Sequence, residues 1–176
     1  MCGGILHTGV PTEAELKHAP GIPASAEIRP GGTAWIECLQ TIACNPCEAN
    51  CPVGAISIGP KIASLPRLDP EKCIGCGTCV TKCPGLAISV IAFRKDSGTT
   101  VLSIPYEYFP LPETGSTVHA VDRAGQYVCD AQVLGVLPRD ERRSTCVIKI
   151  SFPREVCISG QVDKHLSLEV KEWTIM

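Results

Sequence analysis

The chain has 176 residues, of which 12 are cysteine, 15 proline and 16 glycine, against only 3 Phe, 3 Tyr and 2 Trp. That length fits one or two small domains, neither with the aromatic bulk for a large core, so something else must help hold the interior together. A net charge of −2 with 19% charged residues excludes a nucleic-acid stripe and an acidic tail, and 44% hydrophobic residues exclude disorder.

Residues 1–34 are rich in Pro, Gly and Ala and read as an extended arm. Thr12 followed by Glu15 has capping-box spacing, which predicts a helix of about two turns that Pro20 and Gly21 bring to an end. The opening residues hold no basic region followed by an apolar run, so neither a secretory signal nor a lipoprotein signal leading to Cys2 is expected. No stretch approaches the ~18 apolar residues a membrane span requires. The expectation is a soluble, cytoplasmic chain, and in a reducing compartment so many cysteines argue for metal ligands over disulfides.

Eight of the 12 cysteines fall between residues 38 and 83, inside a segment taken as a domain over 35–92. This segment repeats with an offset of 32 residues. Cys44, Cys47 and Cys51-Pro52 map onto Cys76, Cys79 and Cys83-Pro84, and VGAISI maps onto GLAISV. Each copy ends in an apolar run suited to a strand, and the two runs are expected to pair with each other under a pseudo-twofold relation. The copies differ at the leading cysteine: the second begins at Cys73, whereas the first has Thr41 in that place and Cys38 three residues earlier.

Two-residue gaps let three thiolates converge on one compact inorganic core. Gly75 and Gly77 flank Cys76, allow tight curvature and leave amides free to point at sulfur. Ile42, Val53, Ile56, Ile58, Ile74, Val80, Leu86, Ile88 and Val90 would pack around that core. Glu48 is expected to point to solvent, the alternative being a carboxylate near an anionic core that favours its oxidised form and makes the two potentials unequal. A zinc reading would need separated cysteine pairs closing tetrahedral sites, which two triplets with distal Cys-Pro fit less well.

Residues 93–176 change character and read as a small β domain of four to six strands, used for docking or shielding. The β-prone runs are 100–104, 116–121, 126–137, 144–152 and 166–170, with turn signals at 96–98, 123–125 and 138–140. Pro105, Pro110 and Pro112 mark the expected break between parts, because proline cannot donate to a sheet ladder. Cys129, Cys146 and Cys157 are read as buried core, Cys2 as incidental, and RDERR at 139–143 as a solvated hairpin tip. His7, His18, His119 and His165 form no ligand spacing. Neither a dinucleotide fingerprint nor a phosphate loop is present, so no small-molecule substrate of its own and no nucleic acid are expected.

The motif KCIGCGTCVTKCPGLAI, with ECLQTIACNPCEANCPVGAI before it, resembles the bacterial two-[4Fe-4S] ferredoxins over about a third of the chain. The resemblance implies an α+β fold, a dicluster ferredoxin-like core with the small C-terminal β domain appended. It also implies that the distal cysteine of each motif serves the other cluster. One [4Fe-4S] cluster would then use Cys73, Cys76, Cys79 and Cys51, and the second Cys38, Cys44, Cys47 and Cys83, with a [3Fe-4S] cluster in the second place if Cys38 is no ligand. More loosely, the IEC, CNPC, CP pattern is similar to ferredoxin-type subunits of flavin-containing amino-acid or amine dehydrogenases. This implies a non-catalytic electron-transfer subunit of an oxidoreductase complex with flavoprotein dehydrogenase partners. A free-standing carrier and an iron-sulfur sensor are the alternatives.

Overall fold

The computed structural model describes residues 4–122, 125–141, 143–158 and 167–169. The arm carries two short helices, α1 (Ile5–Thr8) and α2 (Glu13–Lys17), and a 3-10 turn at Ser25–Glu27. Helix α2 starts at the expected capping box: the Thr12 hydroxyl accepts from the Glu15 amide at 3.2 Å and Glu15 Oε2 accepts from the Thr12 amide at 2.6 Å.

The cysteine-rich segment folds as two strand–helix–strand units in the register of the repeat. The first comprises β1 (Thr33–Ile36), α3 (Pro46–Ala49) and β2 (Ile56–Ser57). The second comprises β3 (Arg67–Leu68), α4 (Thr78–Lys82) and β4 (Ile88–Arg94). The two apolar runs do not pair with each other as expected. Strand β2 pairs with β3 and β4 with β1, both antiparallel, so each pair joins one end of a unit to the opposite end of the other. A period-2 apolar run settles which face is buried but not which strand lies alongside it.

The remaining strands extend the same sheet. Strands β5 (Thr99–Tyr106), β6 (Thr117–Val121), β7 (Tyr127–Leu137), β8 (Cys146–Pro153) and β9 (Ser167–Glu169) complete seven in the order β1-β4-β5-β8-β7-β6-β9, with every neighbouring pair antiparallel. The boundary drawn at 92/93 therefore falls inside β4, which pairs with β1 on one side and β5 on the other. The break expected at Pro105 is corrected too, since that proline stands within β5 opposite Val147. The β4 pairing ends at Ser103, so Pro105 lies where the strand has only one neighbour and a missing N–H is tolerated.

Alternation along the strands divides the interior into two cores. Trp35, Ile91, Phe93, Leu102, Ile104, Ile148, Ile150 and Phe152 share one with Val118 and Val133. Ala34, Ile36, Ile88 and Val90, one residue out of step on the same strands, face the other, together with Ile56, Ile58, Val80 and the cysteines. Among the described residues, no helix is long and apolar enough to cross a membrane.

Candidate metal centres

In the second unit, Asp69 starts a turn at the end of β3. Its carboxylate accepts from the Glu71 and Lys72 amides at 3.1 and 3.2 Å, and its carbonyl accepts from the Cys73 amide at 3.2 Å. Hydrogen bonding to the Lys72 side chain, then to its amide, holds the Asp69 carboxyl below the usual carboxylate range. The chain then bends around Cys76 on two left-handed glycines, Gly75 at φ 68° and Gly77 at φ 77°. Gly75 has a second duty, because a Cβ there would lie 2.6 Å from the Gly32 carbonyl oxygen and 2.7 Å from that of Gly31. Helix α4 carries Cys79 inward and delivers Cys83 at its C-cap.

The first unit reaches a similar layout by different means. Cys38 follows β1 in step with Ala34 and Ile36, on the face opposite Trp35 and Glu37. The Cys44 amide donates to the Ile62 carbonyl at 3.3 Å, and Pro46 opens α3, which buries Cys47. Glu48 does not simply point to solvent: its Oε1 accepts from the amide of buried Ile58 at 3.1 Å and ties α3 to the chain after β2. Glu37 has no motif to mark it. It is only 6% exposed and accepts from the Trp35 indole at 2.9 Å, and the one signal for it in the sequence is an i, i+2 pair on one strand face.

The eight cysteines line two separate hollows. One is bordered by Cys73, Cys76 and Cys79 of the second copy and Cys51 of the first, with Ala34, Ile56 and Val90. The other is bordered by Cys38, Cys44 and Cys47 of the first copy and Cys83 of the second, with Ile36, Ile58 and Ile88. The distal cysteine of each motif thus crosses to the other copy's hollow. The crossing positions match in detail: the Ala55 amide donates to Cys51 Sγ at 3.2 Å, and 32 residues on the Ala87 amide donates to Cys83 Sγ at 3.4 Å. The Ala34 amide donates to Cys73 Sγ at 3.3 Å.

Neither hollow is lined by a carboxylate or an imidazole; four cysteines border each, with Ser64 beside the second, and such a thiol-dominated set suits soft metals and iron–sulfur clusters. Among the described residues no three or more His, Cys, Asp or Glu side chains converge closely enough for a single metal ion, so the thiols stand around hollows instead of meeting at a point. Burial pushes the Cys79 thiol up to about 12 and the Cys47 thiol up to about 11, and raises Cys38 as well. A metal or cluster held by these groups as thiolates would expel their protons. Cys76 is the exposed thiol of its hollow.

Of the apolar residues expected around the cysteines, Ile56, Ile58, Val80, Ile88 and Val90 are buried. Ile42, Val53, Ile74 and Leu86 sit at the rims with part of their surface in solvent. Cys146 is buried in the sheet core as expected of a small hydrophobe, whereas Cys129, also expected in the core, packs against it only half-buried. Cys2, the side chain of Cys157 and His165 lie outside the described residues. His7, His18 and His119 border neither hollow, and His119 Nδ1 lies 2.8 Å from an Asp130 carboxylate oxygen. In the 139–143 run, Arg143 pairs with Asp140 at the exposed link between β7 and β8.

Comparison with known proteins agrees with the motif. Residues 40–87 match the family model of a 4Fe-4S dicluster domain, and residues 65–128 match a second model of the same description. A 45-residue stretch is 47% identical to a subunit of the Na(+)-translocating ferredoxin:NAD(+) oxidoreductase complex of Acetobacterium woodii, covering 26% of this chain and 13% of that protein. A 49-residue stretch is 45% identical to a subunit of the ion-translocating oxidoreductase complex of Methanosarcina acetivorans, covering 28% of this chain and 17% of that protein. The alignments thus span less than a fifth of either relative, and no solved structure matches the chain. By its motif and by these matches, the chain carries a ferredoxin-like 4Fe-4S dicluster domain related to subunits of ion-translocating oxidoreductase complexes.

Proposed function

We propose that the protein is an electron-transfer subunit that relays single electrons through two [4Fe-4S] clusters to or from a flavoprotein dehydrogenase, and that catalysis belongs to that partner. The observation that carries this reading is the sorting of eight cysteines into two apolar hollows with the distal thiols exchanged. Cys51, Cys73, Cys76 and Cys79 would hold one cluster, and Cys38, Cys44, Cys47 and Cys83 the other. Such a group, when bound, gives or takes one electron without forming a bond to a substrate.

The chain's own residues supply the setting. The amides of Ala34, Ala55 and Ala87 donate to Cys73, Cys51 and Cys83 sulfurs, which draws charge from those sulfurs and favours the reduced state. Ile56, Ile58, Val80, Ile88 and Val90 keep water from the hollows. Exposed Cys76 brings the edge of one hollow to the surface, where a redox partner can approach. The strands after β4 extend the sheet of β1 and β4, and Val147 of β8 packs in the core that holds the cysteines. A flavin gains or loses two electrons, and two adjacent one-electron sites can accept them in turn.

The test is anaerobic purification with iron, sulfide and flavin analysis, followed by redox titration. About 8 iron and about 8 sulfide per chain, with reversible reduction of both sites and a co-purifying flavoprotein, are the expected results. Colourless protein, or protein holding zinc with no acid-labile sulfide, would overturn the reading.

A further inference from the structure

The end of the arm, residues 29–34, meets the Glu71–Cys76 segment at four points. Its backbone is pinned first: the Arg29 amide donates to Thr33 Oγ1 at 3.0 Å and the Gly32 amide to the Arg29 carbonyl at 3.0 Å. The carbonyls of Gly31 and Gly32 then press against Gly75 closely enough that no Cβ fits between. The Ala34 amide reaches Cys73 Sγ at 3.3 Å. Finally the Arg29 guanidinium donates to the Glu71 carbonyl at 2.7 Å and to the Cys73 carbonyl at 3.5 Å.

Both acceptors are neutral, and among the described residues no carboxylate pairs with Arg29, so its charge stays uncompensated beside the loop. The other hollow has no such contact. Among the described residues no Lys or Arg side chain is bonded to the carbonyls of its ligand loops; Lys82 directly precedes Cys83 there, and Glu48, which directly follows Cys47, accepts from the Ile58 amide.

Resting on the two-cluster reading above, we propose that Arg29 is a positioning residue that raises the reduction potential of the cluster held by Cys51, Cys73, Cys76 and Cys79 above that of its neighbour. Reduction adds one electron to the site, and a fixed cation nearby stabilises that added charge. One electron donated to the oxidised protein therefore settles at the site with exposed Cys76, and the second enters the Cys38 site. The arm thus fixes a filling order with the more reducible cluster at the accessible thiol.

The test is a dithionite titration of the anaerobic, full-length protein with mediators, followed by electron paramagnetic resonance so that the two sites are read separately. In Arg29→Gln the oxidised-to-reduced ratio of the Cys76-side cluster at a fixed potential should rise about threefold, about 28 mV at 59 mV per tenfold for one electron. The other cluster should barely move, and Arg29→Lys should keep most of the wild-type value. Because Arg29 is exposed, raising salt from about 0.05 to about 0.5 M should narrow the gap between the two wild-type potentials. If Arg29→Gln does not load, this salt dependence decides the matter. Unchanged potentials in Arg29→Gln with full iron and sulfide, or a gap insensitive to salt where that variant does not load, overturn the proposal and leave the electron-transfer reading standing. Wild-type protein without iron and sulfide fails that reading itself.

Discussion

The loop of Cys73 and Cys76 is contacted by residues 29–34, through a guanidinium, backbone carbonyls and an amide, whereas the arm meets the Cys38 and Cys44 side only where Ile5, Gly9 and Pro11 line a pocket beside those cysteines, and the bonds that hold Cys47 come from its own helix and strand. In the first case two left-handed glycines set the turn and the arm's carbonyls, an amide and a guanidinium close over it. In the second, a proline-started helix and a Glu48 bond to the Ile58 amide supply the local support. Ligand spacing is nearly the same in both copies, so spacing alone decides which thiols border a hollow. How rigidly the hollow is held, and what charge surrounds it, are decided by residues that the motif does not contain.

The largest expected effect breaks the comparison at its crossing point. Cys51→Ala should lower iron from about 8 to about 4 per chain and remove the site with Cys73, even though Cys51 belongs to the other motif. Cys83→Ala should do the reverse, as should Cys38→Ala. Iron analysis with magnetic resonance spectra of the remaining cluster checks this, and loss of the same signal in Cys51→Ala and Cys38→Ala would show that the distal thiols do not cross.

The glycine turn provides the next test, a comparison between two left-handed glycines. Gly75→Ala combines left-handed strain with a clash against the Gly31 and Gly32 backbone and should cost about 3 kcal/mol or more, read from denaturant unfolding. At Gly54, with φ 60° and open space where a Cβ would stand, alanine should cost only the strain, about 1–2 kcal/mol. Equal losses at the two positions would mean that the arm does not brace the loop.

Both hollows were legible in the sequence to the extent that chemistry repeats. The offset of 32 residues paired Cys51 with Cys83, and the β-prone runs between 100 and 170 each became a strand. The partner of each strand was not legible, because alternation in VGAISI and GLAISV reports a buried face and is silent about neighbours. Pro105 misled for a related reason: its missing N–H matters only where a second strand lies alongside, and that depends on where the β4 pairing stops. Arg29 and Glu37 carry no motif at all. Their roles arise from the arm and β1 meeting chain some 40 residues later in sequence, or from a neighbour two residues along one strand face.

A smaller effect sharpens the contrast from the other side. Glu48→Ala leaves the amide of buried Ile58 without its acceptor and should cost about 1–3 kcal/mol, while Glu48→Gln, which keeps an acceptor oxygen, should cost less. Thermal unfolding of the two variants gives the answer, and equal stability of Glu48→Ala and wild type would reduce Glu48 to the solvated carboxylate expected from the sequence.

The smallest expected effect is confined to the start of the arm and asks whether the whole arm, or only its end, belongs to the braced site. The Glu15 carboxylate accepts from the Thr12 amide and hydroxyl and from the Ile5 amide, and these bonds, those to Thr12 first, hold its pKa below the ordinary 4.5. A depressed carboxyl stabilises the fold above the unfolded value and loses that contribution as pH falls through the folded one. Acidification from 4.5 downward should therefore release the Thr12 and Ile5 amides, visible as a coupled shift of both resonances, and Thr12→Ala should weaken that coupling. Helix α2 has no buried residue, so its fraying should leave the Gly31–Gly75 contact and the Ala34-to-Cys73 bond in place. If Thr12→Ala also changes cluster content at neutral pH, the arm acts as one unit and the bracing of the Cys73 site begins well before Arg29.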